Sequence, residues 1–151
     1  MPFEDFKEFY DVLKETLEKY PQTYPEFINH GPDLFKLLSD LLNEPEINSE
    51  TRLKINAAIS YYVVPYDIIP ESEYGPNGYI DDIFLCIHVI KDMEKSLGYD
   101  FLDEIWVGNE DLDKVIDICE KECNEFFDKL DKEGSYIDLR NEILEYTGLK
   151  N

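Results

Sequence analysis

The sequence predicts an all-α protein: a single compact bundle of about six helices over residues 1–151, with a proline-rich acidic loop between helices 3 and 4. Three observations predict it. Apolar residues recur at three- and four-residue spacing through most of the chain, as on the buried face of an amphipathic helix. Proline and glycine fall at the ends of these periodic tracts, where they stop helices. No tract of useful length alternates apolar and polar residues as a strand does. With 43% hydrophobic residues, 11 Tyr and 9 Phe among 151, the chain carries enough apolar matter for one core. It shows no internal repeat and no linker long enough to divide domains.

Phe3, Phe6, Tyr10, Leu13, Leu17 and Tyr20 share one face of a first helix over 3–20. Pro21 and Pro25 end it, and Tyr20 to Pro32 reads as an ordered, aromatic-rich loop containing His30. A second helix starts near Pro32-Asp33, where proline suits the first turn, and carries Leu34, Phe35, Leu37, Leu38, Leu41 and Leu42. Ser49 is a suitable N-cap for a third helix reaching about Val64. Its second half, Ala57 to Val64, is apolar nearly all round, the mark of a central, buried helix. Pro65 ends it.

A fourth helix is expected from Tyr79 to about Leu97, with Ile80, Ile83, Phe84, Ile87, Ile90 and Leu97 inward and Gly98 as its stop. A short helical turn over Tyr99 to Val107 holds the single tryptophan, Trp106. Residues 110–132 place Leu112, Val115, Ile116, Cys119, Cys123, Phe126, Phe127 and Leu130 on one face. A last helix over Tyr136 to Tyr146 turns Ile137, Ile143 and Leu144 inward, with Gly148 past its end.

The charge balance narrows the partners. Thirty-five acidic residues face 14 basic ones, a formal net of −21. Nucleic acid is excluded as a direct partner, because no basic surface exists to neutralise phosphates. An anionic membrane surface is disfavoured for the same reason. Basic proteins and cations remain. The longest apolar run, Ala57 to Val64, falls well short of a membrane span. The start, Met-Pro-Phe-Glu-Asp-Phe, lacks the basic leader and apolar core of a signal peptide. Cys86, Cys119 and Cys123 are odd in number and sit in apolar helical contexts, so reduced thiols and a cytoplasmic location are expected. Cys119 and Cys123 lie one turn apart, but only His30 and His88 could complete a soft-metal set; packed thiols are the simpler reading.

The periodic pattern breaks at Pro65-Tyr66-Asp67-Ile68-Ile69-Pro70-Glu71 and the following Gly78-Tyr79-Ile80-Asp81-Asp82. Such breaks tend to mark functional or strained sites. Between Lys54 and Lys91 there is no Lys or Arg, yet Asp67, Glu71, Glu73, Asp81 and Asp82 all stand in that window. The acids can splay into water, cap helix N-termini, or share a cation. Asp81 and Asp82 fall in the first turn of the fourth helix, where the dipole favours carboxylates. Asp67 is placed to bond backbone amides two residues on.

Tyr62-x-x-Pro65-x-Asp67-x-Ile69-Pro70-Glu71, followed by Gly78-Tyr79-Ile80-Asp81-Asp82, resembles the signature of the YkvA-like family, domain of unknown function 1232. Here Val64 stands where the family favours a small serine, Glu71 where it favours Asp, and the loop to Gly78 is about one residue longer. The Trp106-Val107-Gly108-Asn109-Glu110-Asp111 stretch is similar to a Trp-x-Gly-acidic turn in some relatives. The motif core covers 55–90. The resemblance implies a small helical domain and supplies no activity.

Three functions are compatible with these acids. The first is a non-enzymatic binding or scaffolding domain that uses the acidic Pro65–Asp82 loop, a tyrosine-rich surface (Tyr61, Tyr62, Tyr66, Tyr74, Tyr79), to meet a basic partner. The second is a Mg²⁺ or Ca²⁺ site formed by Asp67, Glu71, Asp81 and Asp82, with a metal-dependent hydrolase as its catalytic extension. The third is an acidic mimic or immunity-type inhibitor that occupies the nucleic-acid site of a basic protein. No EF-hand spacing, His-Glu-x-x-His helix, phosphate loop or serine elbow is present. His88, at helical spacing from Asp81 and Phe84, reads as a satisfied core residue, and neither histidine neighbours a nucleophile in sequence.

Overall fold

The structure, a computed structural model, describes residues 3–19, 24–63, 78–132 and 139–149. Among these residues it contains α1 (Phe3–Glu18), a 3-10 helix (Glu26–His30), α2 (Gly31–Leu41), α3 (Ser49–Val63), α4 (Ile80–Leu97), α5 (Tyr99–Ile105), α6 (Leu112–Lys132) and α7 (Leu139–Thr147), and no strand. The all-α expectation holds. Most of the proline-rich loop, including Pro65, Asp67, Pro70 and Glu71, lies outside the described residues, as do Tyr20, Tyr136 and Ile137.

Local chemistry explains most boundaries and corrects two expectations. The stretch before Pro32 is not simply loop. Phe27 and Ile28 are buried there, and the Ile28 amide closes a turn on Pro25 O at 3.1 Å. The cap of α3 is Asn48, not Ser49. Its Oδ1 accepts the Thr51 amide at 2.8 Å, so Ser49 becomes the first helical residue. Arg52 then reaches back from α3 to donate to Leu42 O and, at 3.0 Å, to Glu44 O, fixing the turn that follows α2.

The glycine stops act as expected. Gly98 ends α4 at φ +86°. Gly148, at φ +77°, closes α7: its amide donates to Glu145 O at 3.2 Å and the Leu149 amide to Leu144 O at 2.9 Å. This paired arrangement satisfies the last carbonyls, and Leu149 is buried beside it.

α4 is the central element. It packs against α2, α3, α5 and α6, and its buried residues run from Ile80 to Met93. α6 lays Leu112, Val115, Ile116, Cys119, Cys123, Phe127 and Leu130 into the same core, while Phe126 is half-buried at its edge. Every described helix contributes to this cluster. No described helix is long and apolar enough to cross a membrane.

Candidate functional site

The residues on either side of 64–77 are joined by two contacts between α3 and the start of α4. Tyr61 Oη donates to Asp81 Oδ2 at 2.5 Å, inside the core. One residue later, the Tyr62 ring stacks on Tyr79, with centroids 6.0 Å apart and planes at 27°. Tyr62 also meets Phe35 of α2 edge-on at 5.5 Å. Its hydroxyl packs over Gly31, where any Cβ would collide with it. Gly31 has an ordinary helical φ of −52°, so space, not backbone conformation, requires glycine there. Tyr146 of α7 completes the surround, edge-on to Tyr61 at 6.1 Å.

The tyrosines of α3 are therefore not a presented surface. Tyr61 is 2% and Tyr62 8% exposed; both belong to the core, with Gly78 buried and Tyr79 half-buried beside them. Asp81 is fully buried and Asp82 is 1% exposed, so neither splays into water. Tyr79, at the cap position of α4, makes no side-chain cap bond. Asp81 serves part of that role from inside the first turn: its Oδ1 accepts the Asp82 amide at 3.0 Å while Oδ2 takes the Tyr61 hydroxyl. Carboxylates removed from water need such donors, or a cation, or a proton.

The thiols share this neighbourhood. Cys86, Cys119 and Cys123 are free and buried, and Cys123 Sγ lies 3.7 Å from Ile80 O. Burial pushes the Cys86 thiol well above its usual value, with the charge of Asp82 adding to it. Burial likewise raises Cys123, helped by Cys119, Asp81 and Cys86, and pushes Cys119 up to about 12. These are packed thiols, held protonated. Among the described residues no group of three or more His, Cys, Asp or Glu is arranged to hold a metal ion.

His88 is not a core residue. It is half-buried, 6.4 Å from the Phe84 ring, and lines a groove between α4 and α6. His30 ends the 3-10 helix, its Nε2 3.3 Å from a Glu110 carboxylate. Trp106 Nε1 donates to Glu110 O at 2.8 Å, and the indole covers Gly108 so closely that no Cβ fits. Gly31 is the site residue that motif reasoning missed, and it had no local signal, because its partner Tyr62 lies far along the chain. Tyr61, expected on a presented tyrosine-rich surface, is instead a buried donor to Asp81.

A family described as "Protein of unknown function (DUF1232)" matches residues 51–87, which take in most of α3 and the first turns of α4. An uncharacterised protein, ORF9, of Methanothermobacter thermautotrophicus is 30% identical over 108 residues, covering 72% of this chain and 74% of that one. No solved structure matches the chain significantly.

Proposed function

The chain belongs to the family of proteins of unknown function DUF1232, and from that premise we propose that it is a non-enzymatic binding or scaffolding module that meets a basic protein through residues 64–77. The observation that carries this reading is the pair of contacts, Tyr61–Asp81 and Tyr62–Tyr79, that joins the residues flanking that segment. Fixed ends reduce the ordering cost of presenting a recognition segment, and function concentrates on segments held by rigid elements. The acids Asp67, Glu71 and Glu73, in a chain of net charge −21, complement a basic surface and steer its approach.

The test is fluorescence anisotropy against a panel of Lys/Arg-rich peptides, with neutral and acidic peptides as controls. Binding confined to basic peptides, weakening steeply from about 50 to about 300 mM salt, supports the reading. The variant Asp67→Asn/Glu71→Gln/Glu73→Gln is expected to bind at least about tenfold more weakly, roughly the worth of one good charge pair. Equal binding by variant and wild type overturns it. Competition between the captured partner's nucleic acid and this chain separates an acidic mimic or immunity-type inhibitor from a plain scaffold.

The burial of Asp81 and Asp82 side by side favours one second reading, a Mg²⁺ or Ca²⁺ site completed by Asp67 and Glu71. A ligand stabilises only the state that binds it. On this reading, chelator-stripped protein melts at a higher temperature with either ion, and Asp82→Asn abolishes the rise. No rise with either ion removes it, together with any metal-dependent hydrolase.

A further inference from the structure

We propose that the groove between the 3-10 helix and α6 binds an aliphatic diamine: two ammonium heads joined by an alkyl stem. The groove encloses about 600 Å³, within the ~300–1,000 Å³ range of small-molecule sites. The 3-10 helix supplies Glu26 and Phe27 to one wall, and α6 supplies Ile118 and Glu122 to the other. Ile118 and Glu122 lie one turn apart and so share a face of α6. Phe27 belongs to the core and gives the groove a fixed apolar base. Ile118 beside it is 39% exposed, a large apolar side chain left open to water.

The charges of the lining do not cancel. Its carboxylates are Glu26, Glu110 and Glu122, and its one lysine is Lys114. Lys114 turns to Asp111, at 3.6 Å, and the His30 ring meets Glu110 at 3.3 Å. Glu26 and Glu122 form no hydrogen bond or ion pair with any described residue. Burial first, then the charges of Glu110 and Glu122, raise the Cys119 thiol, so the negative sign is felt beneath the groove. One uncompensated carboxylate on each wall, with apolar surface between them, calls for two cationic heads on an apolar stem. A bare divalent ion offers no stem to Phe27 and Ile118, and an amine with one head leaves one wall unmet. The groove shares no residue with 64–77, so it stands or falls apart from the binding reading above.

The experiment is an amide-resolved NMR titration of the full chain with cadaverine at fixed ionic strength. Pentylamine serves as the one-headed probe and Mg²⁺ as the dication without a stem. Saturable shifts at the Phe27, Ile118 and Glu122 amides are expected with cadaverine, and at least about fivefold weaker binding of pentylamine. Glu26→Gln and Glu122→Gln are each expected to weaken cadaverine about fivefold, in keeping with one lost charge pair at a partly exposed site. Glu142→Gln removes the same charge from an exposed position of α7, away from the groove, and is expected to bind as wild type. Shifts that never saturate, equal binding of pentylamine, or Mg²⁺ shifting the same amides at least as tightly overturns the proposal. So does wild-type affinity in either groove variant, or an equal loss in Glu142→Gln.

Discussion

Tyr61 and Asp81 stand 20 residues apart and meet through one buried hydrogen bond, hydroxyl to carboxylate, at the point where α3 and α4 come together. Removing the donor leaves the Asp81 oxygen in the core with less compensation, which costs about 1–3 kcal/mol for a buried group. Tyr61→Phe, which preserves the ring and its contact with Tyr146, is expected to lower urea-unfolding stability by that amount. A change below about 0.5 kcal/mol, the size of a neutral surface substitution, would show that the bond contributes nothing net.

Gly31→Ala places a methyl group against the Tyr62 hydroxyl. Overpacking of this kind typically costs ~1–3 kcal/mol. The strain belongs to the hydroxyl, so Tyr62→Phe is expected to be less harmful in the Gly31→Ala background than alone. A double-mutant cycle by denaturant melts measures this directly. Strict additivity contradicts it.

Lys54 and Asp92 join α3 to α4 at 2.7 Å. The ammonium holds the Asp92 carboxyl below its usual 3.8, and Asp92 raises Lys54 above 10.5. A depressed carboxyl stabilises the folded state above its unfolded value and loses that contribution as pH falls through the folded one; a raised amine does the converse on the alkaline side. Stability from this pair is therefore present between about 3.8 and 10.5 and fades on both flanks. Half-exposed pairs contribute less than about 1 kcal/mol. Lys54→Gln is expected to lower the plateau by that order and flatten both flanks in a pH series of thermal melts; an acid flank unchanged by the substitution counts against it.

The three buried thiols are expected to resist alkylation in the native protein and to react together on unfolding. Thiolate is the nucleophile, and burial holds each sulfur protonated. At about pH 8, iodoacetamide labelling followed by mass spectrometry checks this, with denatured protein as reference. Fast labelling of Cys119 in native conditions refutes the packing of that residue.

The helices were legible where a single face carried the signal. The α6 residues Leu112, Val115, Cys119 and Phe127 follow strict helical spacing, and all are buried. Gly98 and Gly148 were legible as stops because few other residues tolerate a positive φ. The 3-10 helix was not, because Phe27 and Ile28 make too short a run to show a period. Asn48 and Ser49 are both good caps and adjacent, so only the hydrogen bond to Thr51 separates them. The acids of the site were legible as a place, not as an environment. Splaying into water, capping and sharing a cation were all open for Asp81 and Asp82, and local sequence does not reveal the burial of a carboxylate, which is rare. Asp81 meets Tyr61 of α3, and that contact spans a separation no local pattern encodes.

The central position of α4 has a consequence in time. Its amides between Ile83 and Met93 are shielded by α2, α3, α5 and α6 together, so loosening any single neighbour leaves the others in place. In native-state hydrogen exchange this stretch is expected to be the last to take up deuterium, opening only when the whole molecule opens. The Asp81–Tyr61 bond lies at one end of that slow segment, so the acids that interrupt the sequence pattern stand at the edge of its most persistent structure.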